Sequence, residues 1–248
     1  MEVTGQVAMV TGAAGGIGGA VARAFCERGA RVAALDREAP APSPYGRTGD
    51  WLALACDVTD AEAVARAVQE VESAFGPVTI LVNAAAVLRD ALLVSFSLKG
   101  IQPHDEEAWR RVIDTNLTGT FLATRGVVES MIRKRTRGLV INFSSVTAAG
   151  NPGQSAYAAA KSGVEALTTT WAKELGPHGI RVACVAPGFV DTGMTARDLR
   201  DDLRSFWVDR TPSRRLGTEE EMVRAVLFVV ENDFFNGRVL AVDGGLRL

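Results

Sequence analysis

The chain has 248 residues, 47% of them hydrophobic and 23% charged, with a formal net charge of −2. That is enough apolar chain for one α/β domain with a sizeable core, and the near-neutral charge excludes a general nucleic-acid or anionic-membrane binder. No apolar run approaches the ~18 residues of a membrane span, and Met1-Glu2-Val3 lacks a signal peptide's basic start, so a cytoplasmic protein is expected.

In chain order, "VAMVTGAAGGIGGAVARAF" reads as a strand over Val7–Val10, a glycine-rich turn and a helix. Gly12 permits the tight turn, while Gly16 and Gly18 let backbone approach a diphosphate at the helix N-terminus. There the unpaired N–H groups and the helix dipole favour an anion. The spacing is G-x-x-x-G-x-G, which a tight strand–helix turn alone also explains. Its context strengthens the cofactor reading, because Asp36 ends the next strand, Arg31–Leu35, 18 residues after Gly18. Asp36 is placed to bond the adenosine ribose hydroxyls and to repel a 2′-phosphate. No lysine or arginine precedes Gly16 to compensate, so NAD is favoured, although the adjacent Arg37 can serve the phosphate of NADP.

Ala39–Gly49, with three prolines, reads as a surface loop. A third strand, Leu52–Ala55, leads to Asp57 in "CDVTD", which can meet adenine or simply cap its own turn. Val64, Val68, Val71 and Phe75 make one stripe of a helix over Ala61–Phe75, with Thr59 and Glu62 as a capping box at its start. Gly29, Gly76-Pro77 and Gly138 read as helix stops before strands. Val78–Val82 is the fourth strand, and Leu92–Asp105 carries a Lys99-Gly100 turn between short apolar runs, the pattern of a small hairpin. Strands at Leu139–Phe143, Arg181–Val185 and Val239–Val242 complete the series. The runs are nearly continuous rather than alternating, as parallel strands covered on both faces require. The expected fold is a single α/β domain over 1–248, a doubly wound parallel sheet in three layers. Cys26, Cys56 and Cys184 read as reduced packing thiols, and His104 and His178 have no cysteine or histidine at ligand spacing, so no metal site is expected.

"YAAAK" places Tyr157 and Lys161 on one side of a helix. A phenol titrates near ~10, so acid–base work at neutral pH needs its pKa lowered by roughly three units; a nearby ammonium and a positively charged nicotinamide act in that direction. A packed tyrosine beside a solvated lysine has the same spacing. Ser144 and Ser145 end the preceding strand, and Pro187-Gly188 with Thr192 ends the following one, so all these groups stand at strand carboxyl ends around one cleft.

With "TGAAGGIG", "CDVTD", "NAAA", "TNLTG", "SS" before "YAAAK", "APG" and "VDGG" in this order, essentially the whole chain resembles the short-chain dehydrogenase/reductase family. The resemblance implies Tyr157 as catalytic acid/base and Lys161 as ligand of the nicotinamide ribose. It implies Ser145 as the group orienting the substrate oxygen, and Asn116 as holding, through helix backbone, a water that extends the proton relay. It also implies a cofactor site that adds Ile17, Val58, Asn83, Ala84, Ala85 and Val190 to the residues above. Two departures stand out. Asn83-Ala84-Ala85-Ala86 replaces the usual Asn-Asn-Ala-Gly, and the serine-to-tyrosine spacing is one residue short, so strand register selects Ser145 whereas counting back from Tyr157 selects Ser144.

Within the family the chain looks most like the 3-oxoacyl-thioester reductases, whose usual members take NADPH. The expected reaction interconverts 3-oxoacyl and 3-hydroxyacyl thioesters, carried on acyl carrier protein or coenzyme A. The alternatives are a cyclic alcohol, steroid or dihydrodiol dehydrogenase, and a non-catalytic dinucleotide sensor. Gly193–Arg215 is expected as a substrate lid, with the Leu92–Asp105 insertion near the same mouth. "RKRTR" (133–137) can dock an acidic carrier protein or serve as a solvated helix end. The resemblance also implies a homotetramer.

Overall fold

The computed structural model describes residues 1–41, 49–97, 100–192 and 201–248. Lys99, most of the proline-rich loop and the 193–200 part of the expected lid lie outside the described residues. Seven strands form one parallel sheet: β1 (Val7–Thr11), β2 (Arg31–Asp36), β3 (Trp51–Ala55), β4 (Ile80–Asn83), β7 (Gly138–Phe143), β8 (Ile180–Pro187) and β11 (Val239–Val242). Their order is β11-β8-β7-β4-β1-β2-β3. Each of the seven apolar runs became a strand of this sheet, with boundaries moved by at most two residues.

The sheet is buried on both sides. Along β1, Ala8 and Val10 enter one core, and Val7 and Met9 enter the other, as the two-residue period of a strand dictates. Helices α1 (Gly16–Glu27) and α7 (Glu219–Glu231) contribute to the first core. The second takes its apolar stripes from α2 (Ala61–Phe75), α4 (Gly119–Arg133) and α5 (Ser155–Leu175). This is the expected doubly wound three-layer fold. All three cysteines are buried in the reduced form.

Local expectations fared less evenly. The cap of α2 is Asp60, whose carboxylate accepts from the N–H groups of Glu62 and Ala63. Thr59 instead donates its hydroxyl to Asp57 at 2.8 Å. Gly138 does not stop a helix: α4 ends at Arg133, Arg135 takes the left-handed turn (φ 54°), and Gly138 opens β7. A Cβ built at Gly138 would sit 2.6 Å from the Met131 methyl. The hairpin is present as β5 (Val94–Ser97) and β6 (Gly100–Pro103), ahead of α3 (Glu106–Ile113). A π-helical turn over Asp114–Thr118 joins α3 to α4.

Beyond β8, β9 (Val190–Asp191) pairs with β10 (Gly217–Thr218). Helix α6 (Asp201–Arg210) occupies the second half of the expected lid. It is tied to β9 by an Arg204–Asp191 ion pair at 2.6 Å and to the residue before that strand by Trp207 stacked on Phe189, with centroids 4.1 Å apart.

Candidate active site

Strand order reverses between β1 and β4, and this is where an open α/β sheet forms its ligand crevice. The loops after these strands touch. Gly12 has φ 69°, and a Cβ built on it would lie 2.6 Å from the Ala85 nitrogen. A Cβ on Gly18 would lie 2.3 Å from the Gly12 carbonyl oxygen and 3.2 Å from the Ala84 methyl. Gly12 and Gly18 therefore let the loop pack against itself and against Ala84-Ala85. The open ground lies at Gly15 and Gly16, where a built Cβ meets nothing closer than the Thr192 Cβ at 4.0 Å. Of the two glycines expected to admit a diphosphate, Gly16 faces open space and Gly18 does not. Ile17 packs against the core below.

The rim follows from the strand ends. Asp36 accepts from Ala14 N–H at 3.0 Å and from Arg37 N–H at 2.8 Å, which fixes its carboxylate beside the glycine loop, while Arg37 is exposed. Asp57 accepts from both the N–H and the hydroxyl of Thr59, the turn-capping arrangement. Val58 is buried where α4 begins, against Gly119. The Asn83 amide donates to Thr124 and to Asn142, both at 2.9 Å, and Asn142 donates on to Thr168. The NH2 group of that amide is committed to a buried polar chain. Thr11, which sequence reasoning missed, accepts from the N–H groups of Ala84 and Ala85 and holds this turn in place. Pro187 ends β8, and Gly188 packs against the Asp243 backbone. Val190 is buried in β9, with Thr192 just beyond it, across from Gly16.

Tyr157 and Lys161 occupy successive turns of α5, with Lys161 Nζ 5.5 Å from the centre of the Tyr157 ring. Lys161 is only 4% exposed and donates to the Phe143 carbonyl at 2.7 Å. Burial lowers its pKa from 10.5 to about 8. Burial also raises the Tyr157 phenol to about 12, the charge of Asp90 pushes the same way, and a hydrogen bond with Ser145 opposes both. With the protein's own groups alone the phenol is thus less acidic than in water, opposite to the shift that acid–base work needs. Burial, which no sequence spacing reveals, is the larger influence.

The two serines face different ways. Ser144 is buried and donates to the Glu165 carboxylate at 2.7 Å. Ser145 caps a short 3-10 turn, accepts from Thr147, and shares its hydrogen bond with Tyr157. Asn116 lies in the π-helical turn and is fully buried; its amide accepts from Val87 N–H at 2.8 Å and donates to the Val87 carbonyl at 3.0 Å. Its partner is 29 residues away, so no local pattern announces the contact. Gln154 and Asp90 were also missed. The Gln154 amide donates to Asp90 at 2.8 Å, tying the segment after β4 to the turn that opens α5. Glu165 was legible in principle, four residues beyond Lys161 on the same helix face.

The chemistry available follows from the donor set. A helix N-terminus opens onto free space at the switch point, a carboxylate stands beside the glycine loop at the end of β2, and a hydrogen-bonded hydroxyl pair stands one helical turn from a buried lysine. These fit a nicotinamide dinucleotide, and they define a dinucleotide-dependent oxidoreductase. Residues 12–247 match the family profile described as enoyl-(acyl carrier protein) reductase. The 3-oxoacyl-[acyl-carrier-protein] reductase of Thermotoga maritima is 40% identical over 254 aligned positions, covering 99% of each chain. Its namesakes from Vibrio harveyi and Escherichia coli are 39% and 38% identical over the full length of both chains. The chain belongs to the short-chain dehydrogenase/reductase family. It is an NAD(P)-dependent oxidoreductase acting on CH–OH and C=O groups.

Proposed function

We propose that the chain interconverts 3-oxoacyl and 3-hydroxyacyl thioesters with NAD(H), and that Tyr157 carries the proton. The observation that carries the reading is the Ser145–Tyr157 hydroxyl pair beyond the carboxyl end of β7, with buried Lys161 Nζ 5.5 Å from the centre of the Tyr157 ring. When bound, the nicotinamide cofactor supplies or accepts the hydride. Ser145 donates to the substrate oxygen and fixes its position. Tyr157 delivers a proton to that oxygen on reduction and removes it on oxidation. Lys161 binds the nicotinamide ribose, and its ammonium favours the phenolate. The Asn116 carbonyl, held by the amide's grip on Val87, positions the water that returns the proton through Lys161. The Gly15–Gly16 backbone and Thr192 would hold the diphosphate.

The family profile and the relatives are named for different bonds, an enoyl C=C and a 3-oxo C=O. The C=O reading is preferred because two hydroxyls converge where one oxygen would sit. Product formation with 3-oxoacyl thioesters, 2-enoyl thioesters and cyclic secondary alcohols separates the readings, and no turnover of the 3-oxoacyl thioesters eliminates ours. NAD is favoured because the Asp36 carboxylate, pinned beside the glycine loop, would repel a 2′-phosphate. Titration should give at least tenfold tighter NADH than NADPH, with Asp36→Ala narrowing the gap; equal or tighter NADPH binding by the parent contradicts the assignment. A carrier-protein substrate has less support from 133–137, where Arg133 pairs with Glu129 and Lys134 with Glu72. A cytoplasmic homotetramer is part of the reading. Exposed Phe228, Phe234, Val239 and Leu248 around edge strand β11 support the assembly, and sedimentation at micromolar concentration tests it.

A further inference from the structure

The hairpin between β4 and α3 carries a surface that the reaction above does not use. Val94 pairs with Pro103, Ser95 with Gln102 and Phe96 with Ile101. Successive strand residues face opposite sides, so this register sorts the ribbon into two faces. Ser95 and Gln102 lie on one; Val94, Phe96, Ile101 and Pro103 lie on the other, which is wholly apolar. Among the described residues no layer packs on that face. Phe96 is 79% exposed, Ile101 70%, and Leu93 at the stem 72%. A lone two-stranded ribbon is marginal in water, and uncovered apolar side chains of this size call for an occupant.

The stem of the ribbon is fastened to the reaction site. Ala91 N–H donates to the Gly153 carbonyl at 2.8 Å, and Ala91 bridges to Gln154. Gln154 in turn holds Asp90 at 2.8 Å, and the Asp90 charge acts on Tyr157. The hairpin therefore departs from the turn that begins the Tyr157 helix.

We propose that the apolar face of this hairpin binds the acyl chain of the substrate and sets its chain-length preference. The proposal rests on the 3-oxoacyl thioester reading. The five residue steps from Ala91 to Phe96, of which Val94–Phe96 are strand, span at most about 17 Å, a distance that an extended chain with C–C bonds of about 1.5 Å covers with roughly a dozen carbons. A four-carbon acyl group stops short of Phe96. A second copy of the protein is the poorer occupant, because a stable interface buries about 800 Å² per partner and four side chains on two short strands fall well below that. The ribbon's width suits a single chain.

The test is the double substitution Phe96→Ser with Ile101→Ser, both at exposed positions outside the two cores. Each methylene covered contributes roughly fourfold to kcat/KM, so losing two or three covered methylenes lowers it tenfold or more. The expected result is at least a tenfold fall with 3-oxododecanoyl-coenzyme A and a change within twofold with 3-oxobutyryl-coenzyme A. An unchanged ratio of the two substrates overturns the proposal, as does an equal loss on both. A shift in sedimentation with the ratio unchanged overturns it in favour of a contact between copies. Failure of the parent enzyme to turn over either thioester sinks the thioester reading and this proposal together, whereas an active parent with an unaltered ratio sinks only the hairpin's role.

Discussion

Replacing Lys161 by methionine isolates what it takes to bury that ammonium. The side chain is almost fully enclosed, and burial moves its pKa from 10.5 to about 8. At roughly 1.36 kcal/mol per pKa unit, this corresponds to about 3 kcal/mol of stability withheld while the lysine is charged in both states. The folded form gives up its proton at lower pH than the unfolded form. Between about pH 8 and 10.5 the unfolded chain holds more protons, so the parent gains stability as pH rises through that window. The methionine variant has no such titration. It loses the bond to the Phe143 carbonyl, which costs about 1–3 kcal/mol and offsets much of its advantage. The variant-minus-parent difference should therefore be most favourable to the variant below pH 8 and shrink by about 3 kcal/mol by pH 10.5. Urea unfolding without dinucleotide, at one protein concentration and at pH 7, 9 and 10.5, measures it. A difference that stays flat across these pH values would refute the reasoning.

Two further perturbations test separate parts of the site. Gly18→Ala places a methyl against the Gly12 carbonyl, with Gly12 itself backed by Ala84-Ala85; thermal unfolding should report a loss of about 2 kcal/mol or more, whereas Gly15→Ala, into open space, should leave stability within about 0.5 kcal/mol. Ser145→Ala should lower kcat about a hundredfold. Ser144→Ala should leave kcat within a few-fold and reduce stability by about 1 kcal/mol, through the lost bond to Glu165. Equal kinetic losses at the two serines would contradict the division of labour between them.

The sheet was legible because each strand is a short, nearly unbroken apolar run, and a run covered on both faces leaves few other ways to be buried. The seven strands of the sheet were all visible for that reason, and the hairpin was visible through its Lys99-Gly100 turn between short apolar runs. Caps were harder. "DVTD" offers Asp57, Thr59 and Asp60 within four residues, and only the geometry of the turn decides that Asp60 holds the helix while Thr59 serves Asp57. Gly18 was assigned to a ligand approach although it relieves contact inside the loop, because a close approach and an open space demand the same residue. The Tyr157–Lys161 spacing was evident, but the direction of the phenol's shift was not. That direction depends on burial and on Asp90, 67 residues earlier in the chain, and neither registers as a local pattern. The contacts of Asn116 were hidden in the same way, its amide being satisfied by backbone across the fold.

The most direct measurement is steady-state turnover of Tyr157→Phe together with its NADH affinity. Removing one oxygen atom takes away the proposed proton carrier and leaves the ring in place. The account predicts kcat lower by about a thousandfold, within the usual range for loss of a general acid–base, with NADH bound within about threefold of the parent. Turnover within a few-fold of the parent, with binding intact, would contradict it.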